Sequence, residues 1–409
     1  MKTWTFSHLS SMTCTGLVAC LASAPLAAEV VGFRMDGDGR YPDAKPPINW
    51  SPTDNVAWKL PLSSWSNASP VLLEATGVVV VMNEPDEIVA VDMVTGKVAW
   101  RDSMGDVQVG ENKAHDDNGW TSPTPVSDGT HVFSVLGSGV VAAHTVDGER
   151  KWARVVQTPE HRWGSSASPV LAGGRLIVQR SQLVALDPKT GDEVWAAESD
   201  PKWGSPIGAT IGGVDVVITP AGDVFSAADG EWIAAGLGNL DYATPVIDDG
   251  VVYFIEKRAL AVRLPKTVEG SFDQVWKSRV KGSRHYASSL IHDGLLYAVS
   301  REQDYTVLDA ATGEVLLERK LDLDANSGSN SAYPSITMAG GKIFVGAVNG
   351  TTVVLEPGSE YKELARNATE GYRSSPVFAG NRMYLRAFDH LYSFGADPSG
   401  STSATSASR

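Results

Sequence analysis

The stretch AVDMVTGKVAW, residues 90–100, sets an Asp, a Thr-Gly pair and a terminal Trp at fixed spacing, and ALDPKTGDEVW at 185–195 repeats it. Weaker copies occur elsewhere in the chain. A pattern that returns at a steady period is one supersecondary unit written several times. Its chemistry is architectural. The Asp closes a strand, and its carboxylate can accept backbone N–H groups from the turn that follows. The Gly supplies the positive φ that the hairpin needs. The Trp can bury a large ring and still direct its indole N–H to a partner.

Each unit opens on small residues and, in most cases, a proline: NASPV (67–71), TSPTPV (121–126), SASPV (166–170), GSPIG (204–208), ATPVI (243–247), ASSLI (287–291), YPSIT (333–337) and SSPVF (374–378). Successive openings lie about 37 to 53 residues apart, close to the ~40–50 of propeller blades. A turn follows, often Asp-Gly or Gly-Gly, as at 128–129, 173–174, 249–250, 293–294 and 340–341. Then come an apolar strand such as VVVVM or VVYFI, a third strand such as EIVAVD or QLVALD, and the Thr-Gly turn into a fourth. Trp100, Trp152, Trp195, Trp232 and Trp276 sit on these fourth strands, where they would fill the wedge between neighbouring sheets. Leu317 replaces Trp in the sixth unit and the seventh has none, so those two joints should be less well filled. The eighth unit stops after three strands, while a lone strand at 55–62 carries Trp58 ahead of the first unit. The expected fold is therefore all-β. It is an eight-bladed β-propeller of four-stranded antiparallel blades, closed by the N-terminal strand in the last blade, which removes the open sheet edges.

Composition bounds the rest. The 409 residues are 43% hydrophobic with 40 Gly and 12 Trp, which leans to all-β. The net charge of -14 argues against a nucleic-acid or anionic-membrane surface. Residues 1–28 read as a signal peptide, with Lys2, an apolar and small-residue run, and an Ala-rich cleavage region near Ala28. Leu17–Cys20 also has the form of a lipobox, which would lipidate Cys20 and tether the chain. Cys14 and Cys20 both precede the repeats, so the fold holds no disulfide and no thiolate metal site. No later run of ~18 or more apolar residues is present to span a membrane. The remaining divisions are a lead-in at 29–54, the propeller at 55–395 and a low-complexity tail at 396–409, read as disordered. DGDGRYPD (36–43) has part of a calcium-loop pattern but lacks the later ligands and the distal Glu, so it reads as a flexible lead-in.

The Ala-x-Asp-x-x-Thr-Gly-x-x-x-Trp motif resembles the tryptophan-docking repeat of quinoproteins, the propellers that hold pyrroloquinoline quinone (PQQ). It is similar also to the PQQ-like propellers that bind no quinone, such as BamB-type barrel-assembly lipoproteins, and to secreted bacterial PQQ-like repeat proteins. The resemblance covers residues 33–395 and is specific for the fold; propellers host many chemistries. It implies three functions. One is an exported binding or scaffolding module of the cell envelope, periplasmic or secreted, without catalysis of its own. A second is a PQQ- and Ca²⁺-dependent dehydrogenase. A third is a tethered partner in outer-membrane protein assembly. Partners would be an envelope protein or a small anionic ligand.

On a propeller the loops between blades share one face, and loops on a rigid scaffold are where function sits. These loops carry His115, Trp120, His161, Arg162, Trp163, Arg284, His285, Tyr286, Tyr372 and Arg373, with Arg301 nearby. Arginines beside flat aromatics suit an anionic planar ligand or an acidic peptide. No catalytic residue and no metal ligand set is identified. Asp116, Asp117 and Asn118 offer oxygens, but neighbours along one loop rarely all face one ion, and Ca²⁺ wants ~6–8.

Overall fold

Runs of β-branched residues between glycine turns set the strands. Val78–Asn83 is buried at every position. A strand with no exposed face lies between two sheets, which is why it reads as an unbroken apolar run. Val98–Ser103 alternates half-buried and exposed residues, as an outer strand with one wet face should. The computed structural model describes residues 30–107, 114–158 and 162–395; the signal-peptide, lipobox and tail readings lie outside them. Within that span eight antiparallel sheets follow one another along the chain. In the last, Val56–Pro61 pairs with His390–Phe394 as its outer strand, so the ring is closed by its own N-terminal segment.

The pairing of third and fourth strands slips by one residue in every blade, just before one docking position that is Trp in five of the eight. Such a bulge turns the next side chain out of the sheet's own face. It explains why the repeat places three residues between Gly and Trp. The Asp92 carboxylate accepts the amides of Val94 and Thr95 and the Thr95 hydroxyl, and these hydrogen bonds hold its pKa below the usual carboxylate range. Gly96 has φ +71°, and a Cβ there would stand 2.6 Å from the Trp58 ring. Trp58, Trp100, Trp152, Trp195 and Trp276 each donate their indole N–H, at 2.8–3.1 Å, to a carbonyl in the next blade.

Trp232 departs from this arrangement and is 63% exposed. It follows Gly230 by two residues rather than four, pairs with Phe225 and precedes the bulged Ile233, so Ala234 takes the docking position and the Trp232 ring stays on the wet outer face. The joints lacking a motif Trp are also filled, contrary to expectation. Between the seventh and eighth blades Trp50 of the lead-in inserts, 5% exposed, with its ring 6.1 Å from Phe344 and 5.9 Å from Phe394. At the preceding joint Tyr361 packs in the same cluster as Leu317, with the Arg319 guanidinium 4.0 Å over its ring.

The lead-in is not a loose strap. Val31 bridges to Ser127. Arg40–Tyr41 pairs in parallel with Thr337–Ala339, making the seventh sheet five-stranded. These contacts fall along or at the far ends of the inner strands, so the segment closes the channel from the face opposite the inter-blade loops. Arg34 is fully buried and donates to the carbonyls of Asp38, Ser289 and Ile336 at 2.7–3.0 Å. Burial pushes its guanidinium down to about 10, and Asp38 opposes that shift, so it stays charged at neutral pH. The flexible reading of 36–43 fails because Arg34 anchors the chain just before it, and Arg40 and the buried Tyr41 within it pair with the seventh sheet.

Candidate functional site

The small residue that opens each blade does more than start a strand. The Ser69 amide donates to the Thr124 hydroxyl, Thr124 to Ser168, Ser168 to Ser205 and Ser205 to Thr244. Thr244 donates to Ser288, Ser288 to Ser335, Ser335 to Ser375, and Ser375 back to Ser69. All eight bonds measure 2.9–3.1 Å. One hydrogen-bonded circle thus runs round the channel, one hydroxyl per blade. A hydroxyl has one hydrogen and two lone pairs. Accepting a neighbour's amide leaves its hydrogen to donate elsewhere, and all eight residues line one cavity of 710 Å³.

In extended backbone, side chains two apart point the same way. The residues two before the hydroxyls are Asn67, Ser122, Ser166, Trp203, Tyr242, Tyr286, Tyr333 and Arg373. All of them line the same cavity, as a second tier above the circle. Its composition is lopsided. Blades one to three contribute small polar groups, blades four to seven an aromatic crescent, and blade eight an arginine. Tyr242 and Tyr286 lie 5.0 Å apart edge to face, and Tyr286 and Tyr333 5.0 Å apart. Phe33, carried up by the buried Arg34, also lines the cavity.

Carboxylates beneath the loops fix this display. One Glu256 oxygen accepts the amides of Asp241, Tyr242 and Ala243 at 2.7–3.1 Å. Burial nevertheless leaves its pKa raised. Glu302 accepts the Ser283 amide and hydroxyl. Partial burial pushes its carboxyl up, but the Ser283 bonds outweigh that and hold it down at about 2. Asn118 donates to the Trp163 carbonyl at 2.6 Å, and His115 stacks on the Trp163 ring at 3.5 Å.

Each crescent tyrosine has a guanidinium over its ring: Arg284 over Tyr242 at 5.6 Å, Arg301 over Tyr286 at 5.9 Å and Arg373 over Tyr333 at 5.2 Å. Arg373 also pairs with Asp117 at 3.4 Å across the mouth. Among the described residues Arg284 and Arg301 make no ion pair. Arg284 donates to the Tyr286 hydroxyl at 3.3 Å.

Of the residues singled out in the sequence, Trp163, Arg284, Tyr286, Arg301 and Arg373 line the cavity together. His285 and Tyr372 do not; each is 1% exposed and one position out of phase with the lining tier, so it points between blades. Burial drops the His285 imidazole to about 4. The Tyr372 hydroxyl meets that of Thr352. Trp120 is 5% exposed and packs on Gly137 and Gly164 beneath the rim. Arg162 stands outside the lining, its carbonyl accepting the His115 amide at 2.9 Å, and His161 lies outside the described residues. Sequence reading missed Trp203, Tyr242, Tyr333 and the hydroxyl circle. The signal was present, since each lies at a fixed offset in the repeated opening.

A calcium-held quinone is tested by the donors present. Ca²⁺ wants six to eight oxygens, carboxylates prominent among them. Among the described residues Asp117 is the only carboxylate lining the cavity, and it is engaged by Arg373. Among the described residues no group of three or more His, Cys, Asp or Glu side chains could hold a metal ion. The donor set does not fit that group.

No helix among the described residues is long and apolar enough to cross a membrane. No curated protein sequence matches the chain. Among solved structures, BamB from Moraxella catarrhalis is similar at 16% identity and TM-score 0.63, covering 84% of this chain and 98% of that one. Quinohemoprotein alcohol dehydrogenase from Comamonas testosteroni is similar at 12% identity and TM-score 0.61, covering 84% of this chain and 76% of that one. A computationally designed protein, Ika8, is similar at 12% and TM-score 0.55, covering 82% and 98%. At these identities the likeness is one of fold. The family model described as "Outer membrane protein assembly factor BamB" matches residues 50–221 and 270–359; the repeat, the eight closed blades and this match together place the chain in that family of PQQ-like repeat β-propellers.

Proposed function

We propose that this protein is an exported envelope module that binds its partner in the inter-blade funnel and does no chemistry itself. The observation that carries the reading is the second tier: an aromatic crescent with two arginines that make no ion pair among the described residues, on a rigid circle of eight blades. Aromatic and Arg side chains in a concave, preformed site are the usual anchors of recognition. The partner is an envelope protein or a small anionic ligand, met in the periplasm or outside the cell. The N-terminal segment supports export, either with cleavage near Ala28 or with a lipid on Cys20, and the intact mass of the mature protein distinguishes the two. A pull-down from the native envelope tests the function. The Arg284→Ala and Tyr286→Ala variants should each lose the partner retained by wild type, with unfolding temperature unchanged. Equal capture by all three proteins would place binding elsewhere.

The family match favours one narrower reading, a role in outer-membrane protein assembly. It predicts that outer-membrane β-barrel proteins or their assembly machinery dominate the captured material. Capture of other envelope components alone would reject it. Stoichiometric retention of PQQ with Ca²⁺ and dye reduction by alcohols or sugars would overturn the non-enzymatic reading.

A further inference from the structure

The two halves of the funnel select different parts of one ligand. On one side are Tyr242, Tyr286 and Tyr333, flat faces suited to the C–H face of a ring. Opposite them, and across the floor, are hydroxyls and the Asn67 amide. The amides of the floor residues are spent on the hydrogen-bonded circle, so the floor offers no backbone N–H for pairing with an extended peptide. It offers hydroxyl groups, which both donate and accept, and sugar hydroxyls do the same. The charged component is local. The Arg301 amide donates to the Arg284 carbonyl at 2.7 Å, joining the two backbones. The two guanidinium groups bracket Tyr286, one at its hydroxyl and one over its ring. Held by tyrosine faces and making no ion pair among the described residues, they are arranged to take a carboxylate by paired N–H···O bonds.

We infer that the funnel binds an acidic oligosaccharide, a short chain of sugar rings bearing carboxylates. The rings stack on the tyrosine crescent, the hydroxyls meet the Ser/Thr circle, and a carboxylate sits between Arg284 and Arg301. This rests on the reading of the funnel as the binding site. The cavity of 710 Å³ lies within the usual range for small-ligand sites, roughly 300–1,000 Å³. Because the whole chain carries -14, the attraction is confined to the arginine pair and weakens with added salt.

Calorimetric titration of the mature protein tests it, with trigalacturonate as probe, maltotriose as the neutral saccharide and triglutamate as the acidic peptide. Trigalacturonate should bind about tenfold or more tightly than either, and Arg284→Ala or Arg301→Ala should each weaken it about tenfold. Tyr286→Ala should weaken both saccharides. Unfolding temperatures of the variants verify that the fold is intact; Arg284 is exposed, so its removal leaves no buried gap. Tighter binding of triglutamate overturns the proposal in favour of a peptide ligand. Equal binding of maltotriose removes the carboxylate from it. If neither saccharide binds while the funnel variants still lose their envelope partner, this inference fails and the binding reading stands. If saccharide binding survives all three substitutions, the proposed site is wrong.

Discussion

At the residue scale the molecule depends on eight small hydroxyls. Ser205 illustrates the point, since its hydroxyl accepts the buried Ser168 amide at 2.9 Å. Ser205→Ala leaves that N–H unpaired and should destabilise the protein by about 1–3 kcal/mol. Ser205→Thr keeps the acceptor, as Thr124 and Thr244 do in their own blades, and should be near neutral; urea midpoints measure both. His285 sets part of the acid response. Burial depresses its pKa from 6.5 to about 4. The unfolded chain therefore takes up a proton first as pH falls. The stability from keeping this imidazole neutral is complete above pH 6.5 and is lost progressively down to about pH 4. That loss is about 3 kcal/mol at most. Urea midpoints between pH 7.5 and 4 should fall, and His285→Gln should flatten the fall. Residue parity also explains what the sequence disclosed about the site. Arginines and aromatics of the inter-blade loops were readable as a group. Which of them face the channel follows from a two-residue phase set by the hydroxyl circle, and that phase separates Tyr286 from His285 and Arg373 from Tyr372.

At the scale of elements, five of the eight joints between blades are locked by a Trp ring resting on a glycine turn. The motif spacing made the Asp, Gly and Trp roles legible, but not the bulge that aims the Trp, because a one-residue slip leaves the pattern of apolar residues intact. Trp276 is 6% exposed, and a Cβ on Gly313 (φ +73°) would stand 2.5 Å from its ring. Trp276→Ala should therefore cost about 3–5 kcal/mol. Trp50→Ala should cost a similar amount, since this ring fills the seventh–eighth joint. Trp232→Ala, at a 63% exposed position, should stay within about 0.5 kcal/mol of wild type. Chemical unfolding of the three variants side by side gives the order. The Trp50 role escaped sequence reading because this Trp carries no motif; only the finished ring shows the gap it occupies.

For the whole molecule, function depends on closure. The funnel is assembled from eight blades, so a broken ring would dissolve the circle of hydroxyls and separate the tyrosine crescent from Arg373. Closure was legible because the eighth unit lacked a strand and Trp58 marked a spare one. The plug beneath the funnel was not, because the carbonyls that hold Arg34 lie 255 and 302 residues away in the chain. Pro61 and His390 face each other in the closing pair of strands, and no cysteine follows Cys20. The Pro61→Cys, His390→Cys double variant should therefore oxidise to an intramolecular disulfide and gain a higher urea midpoint than its reduced form. Failure to form that bond, or its formation only between separate molecules, would contradict the closed ring on which the funnel depends.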